Sequence, residues 1–179
     1  MLAPTIPKVG GVGAYVRGLF GRHRATTTRD GAVDAQAAPE LVLSVIAHLQ
    51  SLGDTAASTD GWAGVPGSGL AVEGVVICFR SPHSPGGLSY QAVRAGGSLA
   101  ERVPAGAYCG TRGRNTPIHG IVLHTNNPLL GGYAVFVDAC FLDGSRRDLV
   151  PAGVACSSEN RSPLEALRVV VVRDGPDTR

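Results

Sequence analysis

The chain has 179 residues, of which 25 are Gly, 12 are Pro and only 17% carry a charge. An apolar fraction of 44% that is rich in Val and Leu, combined with so much Gly and Pro, predicts short strands joined by tight turns and argues against a helical bundle. The net charge of +2 points by itself to no class of partner, and no apolar run reaches the roughly 18 residues that would span a bilayer.

Residues 1–40 are predicted to form an extended, basic N-terminal arm that contains several Gly and Pro residues. The first 29 residues lack Asp and Glu, and the partner-binding candidates among them are Lys8, Arg17, Arg22 and Arg24. A neighbouring subunit in a homo- or hetero-oligomeric assembly is the expected partner, ahead of nucleic acid or an anionic surface. The opening lacks the pattern of a secretory signal, which favours a cytoplasmic or assembly-bound protein, although an acid-free leader with Arg is also typical of a mitochondrial transit peptide.

Residues 41–173 contain three related segments, called here the first, second and third units (about 41–77, 88–123 and 133–171). One string recurs 47 residues later, from position 103 to position 150: Val103-Pro104-Ala105-Gly106 and Val150-Pro151-Ala152-Gly153. The segments that close the three units begin at positions 71, 117 and 163, which are 46 residues apart. A repeat of this length predicts one supersecondary unit per copy. Residues 174–179 are expected to be a short tail.

The first unit opens with an ambiguous stretch. A helix over this stretch would place four apolar side chains on one face: Leu41, Val45, Leu49 and Leu52. Pro39 and Gly53 also stand at the start and end positions that helices prefer. The repeat register instead predicts a strand at 41–49. The strand is favoured, and the helix stays open as the alternative.

The second and third units give clearer strand patterns. Their opening strands are predicted at 88–93 and 133–141, and odd-numbered residues of the latter run form an apolar face. Each unit then closes with a strand that follows a loop rich in Gly, Ser and Asn, where the chain reverses most easily. Three such units, none of which can bury a face alone, predict an all-β, pseudo-threefold β-prism, with a β-trefoil as the alternative.

The four cysteines show no CxxC pair and no zinc-site spacing, so neither a metal nor a cofactor is expected. Buried free thiols are the favoured interpretation. A bridge between Cys109 and Cys156 is the alternative, because the two occupy the same position of neighbouring units.

No motif points to catalysis. The string at 96–100 resembles a nucleophile elbow but lacks its final Gly, so a turn is predicted there. Asp54, Glu101 and Asp148 repeat with the threefold spacing and are expected to be turn or surface residues, far apart from one another. His119 occupies the position that Glu73 and Glu165 fill in the other units, which predicts a polar side chain pointing outward from the closing strand.

Several short motifs resemble the clostridial hydrophobic W repeat. The second unit is similar through Tyr90-Gln91-Ala92, Gly110-Thr111-Arg112-Gly113 and Ile118-His119-Gly120-Ile121, and the third through Leu164-Glu165-Ala166-Leu167-Arg168-Val169. The family's Gly-Trp pair is missing from both units, and the one tryptophan, Trp62, lies at a different point of the first unit. The resemblance implies a repeat module that binds glycans or other proteins.

The best recognition candidates lie in the loop before the closing strand of the second unit. An aromatic ring, two guanidinium groups and an amide come together there, which is the set that sugar recognition uses, and the third unit repeats two of these types. The candidate ligand-binding residues are Tyr108, Arg112, Arg114, Asn115, Asn160 and Arg161. The sequence therefore predicts a non-catalytic, lectin-like module for a glycan or protein ligand. The alternative is a structural or decoration subunit of a larger assembly that is anchored by the arm.

Overall fold

The computed structural model describes residues 41–80, 86–126, 130 and 132–173, and these residues form twelve strands and no helix. The first unit contributes β1 (Leu43–Leu49), β2 (Gly53–Ala56), β3 (Ala63–Gly64) and β4 (Val72–Phe79). The second contributes β5 (Leu88–Val93), β6 (Val103–Pro104), β7 (Cys109–Gly110) and β8 (Gly120–Thr125). The third contributes β9 (Tyr133–Phe141), β10 (Arg146–Pro151), β11 (Ala155–Ser157) and β12 (Leu164–Arg173).

The strands form three four-stranded antiparallel sheets that share one connectivity. Their orders are β2-β1-β4-β7, β6-β5-β8-β11 and β10-β9-β12-β3. Each sheet therefore takes the first, second and fourth strands of one unit and the third strand of the next, and the first unit supplies β3 to the sheet of the third. Because of this cyclic exchange, no unit can complete its own sheet.

The exchanged third strands pair with the fourth strands in equivalent registers. Gly64 lies opposite Ala166, and Gly110 lies opposite Gly74. A Cβ atom on Gly110 would come within 2.3 Å of the carbonyl oxygen of Glu73, and Gly110 has a φ of 119°. Only glycine permits both the close approach and this backbone conformation without strain.

One hydrophobic core receives side chains from all three sheets. Its largest fully buried members include Leu49, Ile77, Tyr90, Ile121, Phe141 and Leu167. Burial of each such side chain stabilises the fold by roughly 1.5–3 kcal/mol. The hydroxyl of Tyr90 accepts a hydrogen bond from the backbone N–H of Ile77 at 2.9 Å and donates one to the carbonyl of Ala107. This burial raises the pKa of Tyr90 to about 12.

The structure settles several of the expectations from sequence. The all-β class is confirmed, and so is the strand at the start of the first unit, since β1 covers 43–49. The predicted opening strands of the other two units agree with β5 and β9 in both bounds. The Cys109–Cys156 bridge is wrong, because both thiols are free and buried. The basic arm, with Lys8, Arg17, Arg22 and Arg24, and the tail lie outside the described residues.

Candidate functional site

The loop between the third and fourth strands of each unit is the structural basis of the candidate site. These three segments, called here the 3–4 loops, cover 65–71, 111–119 and 158–163. Each contains a residue with positive φ at the same repeat position: Gly69 (74°), Asn115 (55°) and Arg161 (54°). Asn tolerates this conformation better than most residues, whereas in Arg161 it costs roughly 1–2 kcal/mol.

A polar side chain at the start of each fourth strand, or directly before it in the case of His119, binds the 3–4 loop of the following unit. The carboxylate of Glu165 accepts hydrogen bonds from the backbone N–H groups of Gly67 at 2.9 Å and Gly69 at 2.7 Å. Glu73 accepts one from the N–H of Arg114 at 3.3 Å. His119 is a donor where the two Glu residues are acceptors, because its Nδ1 donates to the carbonyl of Arg161 at 2.5 Å.

These contacts correct the expectation of outward-pointing side chains at this position. Glu73 is only 1% exposed and Glu165 only 5% exposed, while His119 is half-buried. A carboxylate can be buried here because backbone N–H groups replace the hydrogen bonds of water. The three residues therefore join neighbouring units instead of facing solvent.

Tyr108 and Arg112 form one stacked pair in the second unit. The guanidinium carbon of Arg112 lies 4.3 Å from the centroid of the Tyr108 ring, and its Nη2 lies 3.1 Å from Oδ2 of Asp54. The Tyr108 hydroxyl donates to the carbonyl of Thr111 at 2.5 Å and lies against Gly74. Burial raises the pKa of Tyr108, and the positive charge of Arg112 opposes that rise. One ring face is thus covered by Arg112, so the ring offers an edge to a ligand.

Trp62 has the equivalent place in the first unit, since each of these aromatic residues directly precedes the third strand. The guanidinium carbons of Arg146 and Arg168 lie 5.1 Å and 5.2 Å from the centroid of its ring. Arg168 also donates from Nε to the buried carboxylate of Asp138 at 3.0 Å. Trp62 is therefore a buried structural residue, covered as Tyr108 is.

Arg114 and Asn115 lie next to each other in the 3–4 loop of the second unit. The amide oxygen of Asn115 accepts a hydrogen bond from Gln50 of the first unit. Within the described part of the chain, the Arg114 guanidinium makes no hydrogen bond or ion pair and is exposed. The side chain of Asn115 is thus fixed by Gln50, while that of Arg114 extends into solvent.

Asn160 and Arg161 lie in the 3–4 loop of the third unit. Nδ2 of Asn160 donates to Asp143 at 3.2 Å, and Nη1 of Arg161 donates to the carbonyl of Gly96 at 3.3 Å. Arg161 therefore contacts the turn of the second unit that follows β5. It lines a small cleft of about 240 Å³ together with Arg94, Leu99 and His119.

A larger groove of about 660 Å³ opens between that turn and the 3–4 loop of the second unit. Of the six predicted ligand-binding residues, Tyr108 and Asn115 line it, whereas Arg112, Arg114, Asn160 and Arg161 do not. Its walls add polar side chains that were not predicted to bind a ligand: Arg94, Ser98, Glu101, Thr111, Thr116 and His119. These side chains come close to Tyr108 and Asn115 because β7 joins the sheet of the first unit. No local sequence signal predicts that exchange.

The arrangement of charged groups determines what this surface can do chemically. The described residues contain no group of three His, Cys, Asp or Glu side chains able to hold a metal ion. Asp54, Glu101 and Asp148 are exposed, as predicted, and belong to the surroundings of three different sheets. Asp54 hydrogen-bonds Nδ1 of His48 at 2.6 Å and pairs with Nη2 of Arg112 at 3.1 Å, and Asp148 pairs with Nε of Arg146 at 2.7 Å, so both carboxylates are engaged by neighbouring side chains.

Comparison with protein-family models, with curated proteins and with solved structures finds no match for this chain. In the part of the chain that the structure describes, no helix has the length and apolar character needed to cross a membrane.

Proposed function

We propose that this domain is a non-catalytic recognition module that binds a hydroxyl-rich ligand, of the glycan class, in the groove of the second unit. The observation that carries the proposal is the groove itself. Its volume of about 660 Å³ falls within the range of small-molecule sites. It gathers a guanidinium (Arg94), a carboxylate (Glu101), an amide (Asn115) and an aromatic edge (Tyr108) at one opening.

These groups suit hydroxyl recognition because each sugar hydroxyl both donates and accepts hydrogen bonds. Arg94 supplies donors and Glu101 supplies acceptors. Asn115 accepts from Gln50 through its oxygen, which leaves its NH₂ group to donate to a ligand. The wall also contains half-buried apolar residues, Ala100, Val103 and Pro117, which can contact the C–H face of a sugar ring.

The groove is also well fixed before any ligand arrives. Glu73 binds the backbone of the 3–4 loop at Arg114, and Arg112 ties that loop to Asp54 of the first unit. The opposite wall is a tight turn in which the N–H of Gly97 donates to the carbonyl of Arg94 at 2.7 Å. A preformed site loses little conformational entropy on binding, which favours affinity for a small, polar ligand.

We further infer that the three sheets form the three sides of a β-prism, in preference to a β-trefoil. The cyclic exchange of third strands and the shared core support this arrangement. We also propose a relation to the clostridial hydrophobic W repeat. The Leu-Glu-Ala segment of the third unit, which resembles that repeat, begins a fourth strand in which the Glu is buried. An experimental structure without an approximate threefold axis relating β4, β8 and β12 would contradict both inferences.

The proposal is tested by screening the full chain on a glycan array and measuring affinity for any hit by calorimetry. Asn115→Gly removes the amide while keeping the positive φ, and Glu101→Gln removes the charge while keeping the shape. Each is expected to weaken binding about tenfold, because each removes one or two hydrogen bonds that the site makes to the ligand. Thermal unfolding of each variant separates lost binding from lost folding.

Arg114→Ala is the matched control, because Arg114 lies in the same loop but outside the groove. It is expected to leave affinity within about twofold, since an exposed side chain away from the site contributes little. A wild-type protein that binds nothing on the array, or one whose affinity falls with Arg114→Ala but not with Asn115→Gly and Glu101→Gln, would overturn the proposal.

A further inference from the structure

Among the residues that the structure describes, the outer edge of the fourth strand is closed in two units and open in the third. In the first unit the N–H of Gly106 donates to the carbonyl of Ile77 at 2.8 Å, and in the second the N–H of Gly153 donates to that of Leu123 at 2.7 Å. The equivalent residue of the third unit, 46 positions after Leu123, is Val169. Among the described residues none donates to its carbonyl, and β12 pairs on this side only at Ala166 and Leu167.

The open edge has a local cause in the turn that precedes β3. There the N–H of Gly61 donates to the carbonyl of Ser58 at 2.9 Å, so the turn closes on itself. Arg168 lies beneath this turn, and a Cβ atom on Gly61 would come within 3.2 Å of its Cδ. This turn is thus positioned over the Arg168 side chain, and among the described residues none of its N–H groups donates to the carbonyl of Val169.

The exposed edge is long, and its central residues contain none of the features that usually protect one. β12 has 10 residues, against 8 in β4 and 6 in β8. Val169 to Val172 are four consecutive half-buried valines with no Pro, Lys or inward charge. Since alternate residues of an antiparallel strand direct their N–H and C=O to the same side, Val169, Val171 and Arg173 direct theirs to the open edge.

We propose that this edge of β12 pairs with the same edge of a second copy of the chain, antiparallel and across a twofold axis at Val171. Val171 then lies opposite its own symmetry mate, and Val170 lies opposite Val172 of the other copy. The pair makes about six backbone hydrogen bonds, from the N–H and C=O groups of the three outward residues of each strand. The two sheets join into one continuous sheet, which is how proteins commonly recognise an exposed strand edge.

The occupant is a second copy because the antiparallel pairing sets valine against valine along 170–172 and places each Arg173 opposite Val169 of the other copy, so that the two like charges lie at opposite ends of the pair. Opposed β-branched side chains are favourable cross-strand pairs. Arg168 introduces no unpaired charge at the end of the interface, since its Nη2 and Nε both bind the buried Asp138, at 2.5 Å and 3.0 Å. Within the described residues, Arg173 is the other charge of this edge, and it lies at the solvent end of the pair.

Two proline substitutions in the full chain test this pairing. Val171→Pro removes an N–H that points to the open edge, and edge strands tolerate Pro where the N–H faces outward. Val172→Pro removes an N–H that points to β9, so it damages the monomer itself. Sedimentation velocity over a concentration series should show wild-type dimers of twice the 18.3 kDa chain mass. Val171→Pro should raise the dimer dissociation constant at least about tenfold and leave the unfolding midpoint nearly unchanged.

Hydrogen exchange at single-residue resolution shows whether a second copy or residues 1–40 of the same chain pair with this edge. In the wild-type dimer the N–H of Val171 should be protected, and this protection should fall on dilution. A monomeric wild type at every concentration, or a dimer that persists unchanged in Val171→Pro while Val172→Pro unfolds, overturns the proposal. Protection in a monomer that disappears on deletion of residues 1–40 also overturns it, because it assigns the edge to the arm.

Discussion

The carboxylate of Glu165, in the third unit, accepts a hydrogen bond from the backbone N–H of Gly69, in the first unit, at 2.7 Å. The two residues are 96 positions apart in sequence, and their contact joins the last fourth strand to the first 3–4 loop. Together with the exchange of β3 into the sheet of the third unit, it closes the ring of three units. The stability of the domain should therefore depend on this junction as a whole.

Glu165→Ala leaves two backbone N–H groups, those of Gly67 and Gly69, without an acceptor. Gly67 and Gly69 are exposed residues, so water can replace part of each lost hydrogen bond. A hydrogen bond to a charged group contributes roughly 1.5–3 kcal/mol where water cannot replace it, so we expect the free energy of unfolding to fall by about 1–3 kcal/mol in chemical denaturation. Glu165→Gln keeps one acceptor oxygen and should lose less. Glu159→Gln is the control, because Glu159 is 85% exposed and should change stability by under about 0.5 kcal/mol. Equal losses in Glu165→Ala and Glu159→Gln would contradict this role.

The cysteines should differ sharply in reactivity toward a thiol reagent. Burial raises the pKa of Cys156 to about 12 and also raises the pKa of Cys109 and Cys140. Since the thiolate is the reacting species, these three should react only after unfolding, whereas the half-buried Cys78 should react in the native protein. Mass spectrometry after labelling with and without denaturant measures this. Native labelling of Cys156 as fast as Cys78 would show that the core opens readily.

Much of the fold could be predicted because the repeat and the alternation of apolar residues are local signals. The bounds of β5 and β9 follow from such patterns. The exchange of third strands could not be predicted, since β3 and β7 are two residues long and carry almost no pattern. Their partners are set by tertiary packing of glycines such as Gly110 against a neighbouring fourth strand.

The candidate site was predicted only in part, for the same reason. Asn115 belongs to the loop that the sequence identified and Tyr108 lies just before it, and both line the groove. Arg94 and Glu101 reach it from a turn that sequence alone had no reason to place beside that loop. The buried state of Glu73 was also missed, because a Glu in a repeat is usually solvated, and only the neighbouring loop supplies the N–H group that permits burial.

Gly74 is expected to be intolerant of even the smallest side chain. A Cβ atom there would lie 2.3 Å from the Tyr108 hydroxyl oxygen, 2.5 Å from Cζ of the same ring and 2.9 Å from the carbonyl of Cys109. Gly74→Ala should therefore displace Tyr108 and reduce the free energy of unfolding by roughly 1–3 kcal/mol. Gly96→Ala is the matched control, because a Cβ atom on Gly96 would meet nothing within 4 Å and its φ is not positive. Similar stability of the two variants would disprove the tight packing of Tyr108.

His124 should make the domain less stable in mild acid. Burial lowers the pKa of His124, and the positive charge of Arg102 lowers it further. Its Nε2 atom is buried without a partner among the described residues, so the fold favours the neutral ring. The unfolded chain takes up this proton near pH 6.5, before the folded chain does. The contribution of His124 is thus complete above that pH and is lost as the pH falls through the lower pKa of the folded state.

The His124→Gln variant isolates this effect from the titration of carboxylates, because all other groups are shared with the wild type. The difference in unfolding free energy between the two proteins should be constant above about pH 6.5 and should change in favour of the variant as the pH falls below it. Denaturation curves at closely spaced pH values measure it. A difference that stays flat over this range would mean that His124 is protonated as readily in the fold as in the unfolded chain.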